Sequence, residues 1–163
     1  MNYDTKSMII TATEVDGPHI LSITARAGVF SQEEVECVGE LWAEYLRDGS
    51  EYCGYNFIVY RDGDRVLGFA CYGRRDLTHG VFDLYWIAVD PAARCNGVGR
   101  TLLTTCEEAV RELGGRMLVA ETSGTPLYDG TRKFYFGMGY ENAAIIKDFY
   151  TAGDDLIIFI KRI

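Results

Sequence analysis

Apolar residues along this chain change their period several times, and each change marks an element. From His19 to Thr24 they alternate with polar residues, which predicts a first strand. Ser31 stands three residues before Glu34, a capping-box spacing that opens a predicted helix to about Arg47. Its apolar stripe is Val35, Val38, Trp42, Tyr45 and Leu46, and Gly49 ends it. Asn56–Arg61 and Arg65–Tyr72 read as strands joined by the hairpin turn Asp62-Gly63-Asp64. The nearly unbroken apolar run Val81–Val89 predicts a strand at the centre of a sheet. Beyond it Val98, Leu102, Cys106, Ala109, Val110 and Leu113 recur at helical spacing, until Gly114-Gly115 stop the helix. Arg116–Glu121 then reads as a short strand, parallel to the preceding one by the handedness of βαβ units. Thr131–Met138 is a short helix ended by Gly139, and Asn142–Tyr150 with Leu156–Lys161 form a terminal hairpin. The order β-α-β-β-β-α-β-α-β-β is that of an α+β fold, a mixed sheet with helices on both faces.

No internal repeat or Pro/Ser-rich linker interrupts the 163 residues, so a single domain over 1–163 is expected. The longest apolar runs are too short to span a bilayer, and Met-Asn-Tyr-Asp-Thr-Lys at the start is no secretion signal. Cys37, Cys53, Cys71, Cys95 and Cys106 show no CxxC spacing and no histidine cluster, which argues for a reducing, cytoplasmic setting and no metal. A formal net charge of −8 argues against a nucleic-acid partner. It suits a cationic substrate, and equally a merely soluble surface. His19 and His79 have no partner at ligand spacing and read as surface residues.

The run Arg94-Cys95-Asn96-Gly97-Val98-Gly99 carries the most chemistry. It follows the apolar strand and the turn Asp90-Pro91, and it precedes the helix that begins near Val98. A glycine loop entering a helix N-terminus gathers backbone N–H groups on an anion, and the helix dipole adds to the attraction. Gly97 and Gly99 let the backbone approach phosphates closely, with Arg94 and Arg100 bracketing the loop. About forty residues on stands Phe134-Tyr135-Phe136-Gly137-Met138-Gly139-Tyr140.

Arg-x-x-Gly-x-Gly after a strand resembles motif A of the GCN5-related N-acetyltransferase (GNAT) superfamily, and the aromatic run resembles the Tyr-x-x-x-Gly-(Phe/Tyr) ending of its motif B. The resemblance runs from about Tyr55 to the C-terminus and is loose before it; the predicted order lacks one of the two N-terminal helices usual in the family. It implies acetyl-CoA as cosubstrate, lying where two parallel strands splay apart. The pantetheine arm would bond to the backbone of Ile87, Ala88 and Val89. The pyrophosphate would rest on the N–H groups of Asn96, Gly97, Val98, Gly99, Arg100 and Thr101. The acceptor would be a small-molecule amine or a protein amino group, and the terminal hairpin is a common dimer edge, so a homodimer is also expected.

Acetyl transfer needs a neutral amine and a proton for the departing thiolate. Deprotonating a lysine-like amine of pKa about 10.4 at neutral pH costs roughly 4.6 kcal/mol, which a positioned carboxylate or a water chain offsets. Tyr135, four residues before Gly139, falls where the family carries the tyrosine that protonates the coenzyme A sulfur; the structural alternative is a core aromatic beside Phe134 and Phe136. Asp83, eleven residues before Arg94, stands at the spacing of the family's glutamate base. The alternative is an ion pair with Arg74 or Arg75. Glu121 is a second candidate base, Asp90 reads as a turn residue, and Cys95 as a filler open to thiol reagents. Tyr128 occupies the position of an asparagine usual in the family, for which the hydroxyl of Ser123 or Thr122 would substitute. Arg132 and Lys133 either reach toward a 3′-phosphate or are solvated. Beside the enzyme reading stands a catalytically silent module that binds acyl-CoA; a mononucleotide-binding protein lacks support, since the loop has no Lys-Ser/Thr.

Overall fold

The structure, a computed structural model, describes Met8–Ile163; the reading of the first six residues lies outside these. The elements are β1 (Met8–Thr11), α1 (Gly17–Arg26), α2 (Gln32–Asp48), α3 (Ser50–Cys53), β2 (Asn56–Asp62), β3 (Arg65–Arg74), β4 (Val81–Val89), α4 (Val98–Glu112), β5 (Met117–Ser123), α5 (Asp129–Gly137), β6 (Glu141–Thr151) and β7 (Asp154–Arg162). The hydrogen-bonded strand order is β1-β2-β3-β4-β5-β7-β6, a mixed sheet in an α+β fold, with β4 in the middle as its apolarity predicts. Among the described residues no helix is long and apolar enough to cross a membrane.

The first predicted strand is wrong. His19–Thr24 is helical, inside α1, and the first strand among the described residues is β1, antiparallel to β2. Ile20, Ile23 and Thr24 are the buried positions, an i, i+3, i+4 set, whereas Leu21 and Ser22 are not buried. A six-residue window cannot separate that set from alternation. Thr13 and Asp16 form a capping turn just before it, and Pro18 sits in the first turn, where a missing N–H costs nothing. The second N-terminal helix is therefore present. The capping box of Ser31 and Glu34 opens α2 as predicted.

The described residues fall into two compact units. The first runs to Gly73 and includes Trp86–Cys106. Here β2 and β3 pair from Asn56↔Tyr72 to Asp62↔Arg65, with a register shift beside Tyr60. Phe57, Val59, Val66, Phe69 and Cys71 join Ile20, Ile23, Val38 and Trp42 of α1 and α2 in one apolar cluster. Trp42 stands edge-on to Phe57 at 5.1 Å between ring centroids. Gly68, adjacent to Phe69, points to the opposite face and meets α4. A Cβ there would lie 2.9 Å from the Ala88 carbonyl oxygen, 3.0 Å from Leu102 Cδ1 and 3.1 Å from Val98 Cγ1. The start of α4 is thus pressed onto backbone.

The second unit comprises Arg74–Tyr85 and Glu107–Ile163. The parallel register of β4 and β5 runs from Val81↔Met117 to Leu84↔Ala120 and stops three residues before β5 ends. β5 continues antiparallel to β7 as far as Ser123↔Leu156. α4 closes as its glycines predict, with Gly115 N donating to Val110 O at 2.8 Å. The stripe reading errs at Leu113, which is exposed, and at Ala109, which is only half-buried, and it omits Leu103, which is fully buried.

Gly68→Ala forces a methyl group onto a carbonyl and two packed side chains. It should lower the stability by about 1–3 kcal/mol, read as a shift of the urea midpoint. An unchanged midpoint would refute the close seat of α4.

Candidate functional site

The loop between β4 and α4 is shaped by its exit from the strand. Asp90 N donates to Leu67 O at 2.8 Å, and Asp90 Oδ1 accepts from Ala92 N at 3.0 Å, which makes it the turn residue expected. Arg26 of α1 pairs with Asp90 at 3.0 Å, and that hydrogen bond, with the one from Ala92, holds the carboxyl below its ordinary pKa. Arg94 donates to the Ala27 carbonyl just past α1. Its guanidinium therefore ties the loop to the α1 end, while Arg100 stays exposed.

Cys95 has φ 63° and Gly97 φ 80°, so the backbone turns left-handed twice within three residues. For the cysteine that conformation costs about 1–2 kcal/mol. Such turns face successive N–H groups into one concavity. The hydrogen bond from Thr101 N to Gly97 O, 2.9 Å, opens the helical ladder. The amides of Val98, Gly99 and Arg100 precede that bond and have no acceptor inside the helix. A Cβ on Gly97 would meet nothing within 4 Å. This open, amide-lined turn fits a phosphate group. Ile87 and Val89, the outer two of the three backbone positions predicted for a pantetheine arm, are half-buried around buried Ala88.

In the second unit the structure brings both candidate bases onto one arginine. Arg75 Nε donates to the two Asp83 oxygens at 2.9 and 3.0 Å, and its Nη2 reaches Glu121 at 3.1 Å. Arg75, rather than Arg74, is the partner left open by the sequence. The bond to Asp83 is the main force raising the Arg75 pKa above its ordinary value, so the guanidinium stays charged. Asp83 is buried, whereas the Glu121 side chain is 42% exposed.

Tyr135 is 4% exposed in α5, with its ring 5.3 Å from Phe159 and 5.5 Å from Tyr140. Phe159 pairs with Ala120, so α5 covers the face of β5 that carries Leu118, Ala120 and Thr122. Asp83, Val119 and Glu121 occupy the other face. A buried network holds the end of α5. Glu107 Oε2 accepts from Lys161 Nζ at 2.8 Å, its Oε1 accepts from Tyr140 at 3.1 Å, and Lys161 also donates to Met138 O at 2.9 Å. Sequence reasoning missed Glu107, although a signal existed: it falls four residues after Leu103 and three before Val110, a charge inside an apolar stripe.

Arg132 fits neither expectation. Its Nη1 donates to the carbonyls of Ser123 and Thr125 at 2.6 and 2.9 Å, and its Nη2 pairs with Asp129. It clips the start of α5 to the end of β5, where Ser123 Oγ already bonds Asp154 and accepts from Thr125 N. Lys133, His19 and His79 are exposed.

Residues 22–140 match the model of the Acetyltransferase (GNAT) family. A crystal structure of a protein assigned to that family from Desulfovibrio desulfuricans is 39% identical, with a TM-score of 0.93 over 96% of this chain and 99% of that one. An uncharacterized N-acetyltransferase from Methanocaldococcus jannaschii is 26% identical over 82% of this chain and 88% of its own. A Salmonella typhimurium protein described as an acetyltransferase, solved with its cofactor acetyl-CoA, shares the fold at TM-score 0.74 and 19% identity, over 96% and 93% of the two chains.

The network around Glu107 makes its own prediction. Lys161→Met leaves a carboxylate buried without its cation and should cost about 3–5 kcal/mol. Adding Glu107→Gln should recover most of that loss in urea unfolding. A double variant no more stable than Lys161→Met would contradict the pairing.

Proposed function

Because the chain belongs to the GNAT acetyltransferase family, we propose that it moves an acetyl group from acetyl-CoA to a primary amine, of a small molecule or a protein, by direct attack in a ternary complex. The observation that carries this reading is the left-handed turn at Cys95 and Gly97 opening α4. The amides from Asn96 to Thr101 would hold the pyrophosphate, and the backbone of Ile87, Ala88 and Val89 the pantetheine arm. Bonds to a charged group contribute about 1.5–3 kcal/mol each, so a few such amides suffice without a dedicated side chain. The bound donor supplies an acetyl group already activated as a thioester.

The chain's own residues then manage two protons. Glu121 is the base this geometry favours. It is half-exposed and meets Arg75 through one oxygen at 3.1 Å, whereas both oxygens of Asp83 are engaged. Asp83 is buried with both oxygens on Arg75, so it serves better to fix that arginine. Tyr135 gives its proton to the departing thiolate. It approaches from the α5 face and Glu121 from the opposite one, which supports an amine entering on the face away from α5. The alternative, a silent acyl-CoA-binding module, draws support from the same arginine, because Arg75 contacts both candidate bases.

The proposal extends to setting and assembly. Five free thiols support a reducing, cytoplasmic location. All eleven residues of the edge strand β6 are exposed, Ile145, Ile146, Phe149 and Tyr150 among them, which supports a homodimer through that edge.

Calorimetric titration tests the carrying observation. Wild type should bind acetyl-CoA at micromolar concentration, and Gly97→Glu should bind none, since it sets bulk and like charge on the phosphates. Retained affinity in that variant would sink the cofactor assignment. Tyr135→Phe should keep the affinity and lose at least about tenfold in turnover. An unchanged rate would reject the acid role, and no turnover by wild type across an amine panel would favour the silent module.

A further inference from the structure

A cavity beside α1 lies wholly within the first unit of the chain. Its volume is about 220 Å³, below the roughly 300–1,000 Å³ of sites for drug-sized ligands, so it suits a small metabolite rather than a nucleotide. His19, Ser22, Ile23 and Arg26 form one wall, spaced i, i+3, i+4 and i+7 on a single side of α1. Asp64 and Arg65 of the β2–β3 turn stand in the lining with Asp90, and Ile23 and Val66, both buried, are its apolar part.

Charge decides what it would take. Arg26 is already matched: its Nε donates to Ser22 Oγ at 3.2 Å, and Nη1 and Nη2 donate to the two Asp90 oxygens at 3.2 and 3.0 Å. Asp64 and Arg65 are not. Neither side chain makes a hydrogen bond or ion pair among the described residues, and Arg65 acts on Asp90 only by long-range attraction. The formal charges of Arg26 and Arg65 against Asp64 and Asp90 sum to zero, so neither a bare anion nor a bare cation is favoured. A ligand with both charges meets the two unmatched groups at once, an ammonium for Asp64 and a carboxylate for Arg65. Ile23 and Val66 add a preference for an aliphatic side chain.

We propose that this cavity is a binding site for a free α-amino acid with a short aliphatic side chain. Arg65 takes the α-carboxylate, Asp64 takes the α-ammonium, and the side chains of His19 and Ser22 supply further polar partners. Binding is reversible and noncovalent, and it does not depend on the acetyl-CoA reading. Asp90, held by Arg26, also opens the turn into the loop between β4 and α4, so the occupant adjoins the anchor of that loop.

L-Valine is the probe, titrated into the isotope-labelled full-length protein and followed by nuclear magnetic resonance. The amide resonances of Ser22, Ile23, Arg65 and Val66 should move at millimolar L-valine. Isovalerate and isobutylamine keep the side chain but only one of the two charges, and each should bind at least about fivefold more weakly. Asp64→Asn and Arg65→Gln, substitutions at exposed positions of the turn, should each weaken L-valine by a similar factor while the rest of the spectrum stays native. The two analogues test the charge pairing on the wild type, whatever the folding of the variants. Absence of shifts at these resonances would overturn the proposal. Equal affinity for isovalerate would make the cavity an anion site, equal affinity for isobutylamine a cation site, and either would overturn it too. So would natively folded variants that bind L-valine as the wild type does.

Discussion

The seat of α4 on β3 is the constraint from which the loop between β4 and α4 follows. Val98 and Leu102 reach the strand at Gly68, with the Ala88 carbonyl alongside, at distances that leave no room for a Cβ. This fixes where the helix begins. The chain leaving β4 is fixed as well, by the bond from Asp90 N to Leu67 O and by the pairs Arg26–Asp90 and Arg94–Ala27. Few residues remain to join two anchored points, and they do so only by turning left-handed at Cys95 and Gly97. The strain at a non-glycine position is thus held by packing on both sides. An open, amide-lined turn emerges whose shape owes little to the side chains of the loop itself.

Most of this was legible because it lies in short-range signals. The capping box of Ser31, the turn Asp62-Gly63-Asp64, the glycines after α4 and the two spaced motifs each depend on a few adjacent residues, and each stands where the spacing placed it. α1 was misread because its apolar positions fit both periods over six residues, and the flanking cap at Thr13 and Asp16 settles the matter only once seen. Bonds between distant residues leave their partners unnamed in the sequence, even where one end, such as Glu107, stands out as a charge in an apolar stripe. Arg132 gives its donors to carbonyls seven and nine residues back, and Lys161 meets Glu107 across 54 positions. Nothing in the sequence around Arg132 separates a clip from a solvated cation.

The cluster of Arg75, Asp83 and Glu121 sets the electrostatics of its face. Two carboxylates on one guanidinium leave a formal charge of −1, on a chain whose net charge is −8. Burial of Asp83 without Arg75 would be costly, and the bidentate geometry offsets that cost best. Glu121 is different in kind. Solvent reaches it, and it meets Arg75 through one oxygen only. Burial and bonding set the two carboxylates apart: one anchors the arginine, and the other stays open to solvent.

Tyr135 owes its position to the C-terminal hairpin more than to its own helix. α5 has nine residues, too few to be stable by itself. At its start Arg132 holds it to β5; at its end Lys161 of β7 holds the Met138 carbonyl and pairs with Glu107 of α4. Between these fixed ends the phenol ring is packed by Phe159 and Tyr140, residues that belong to β7 and to the turn before β6. The proton donation proposed for Tyr135 would depend on placing one oxygen within a few tenths of an ångström, and a short helix cannot do that unaided. The charged network at the base of α5 supplies the rigidity, which gives a physical reason for a buried Glu–Lys pair where apolar packing would also have served.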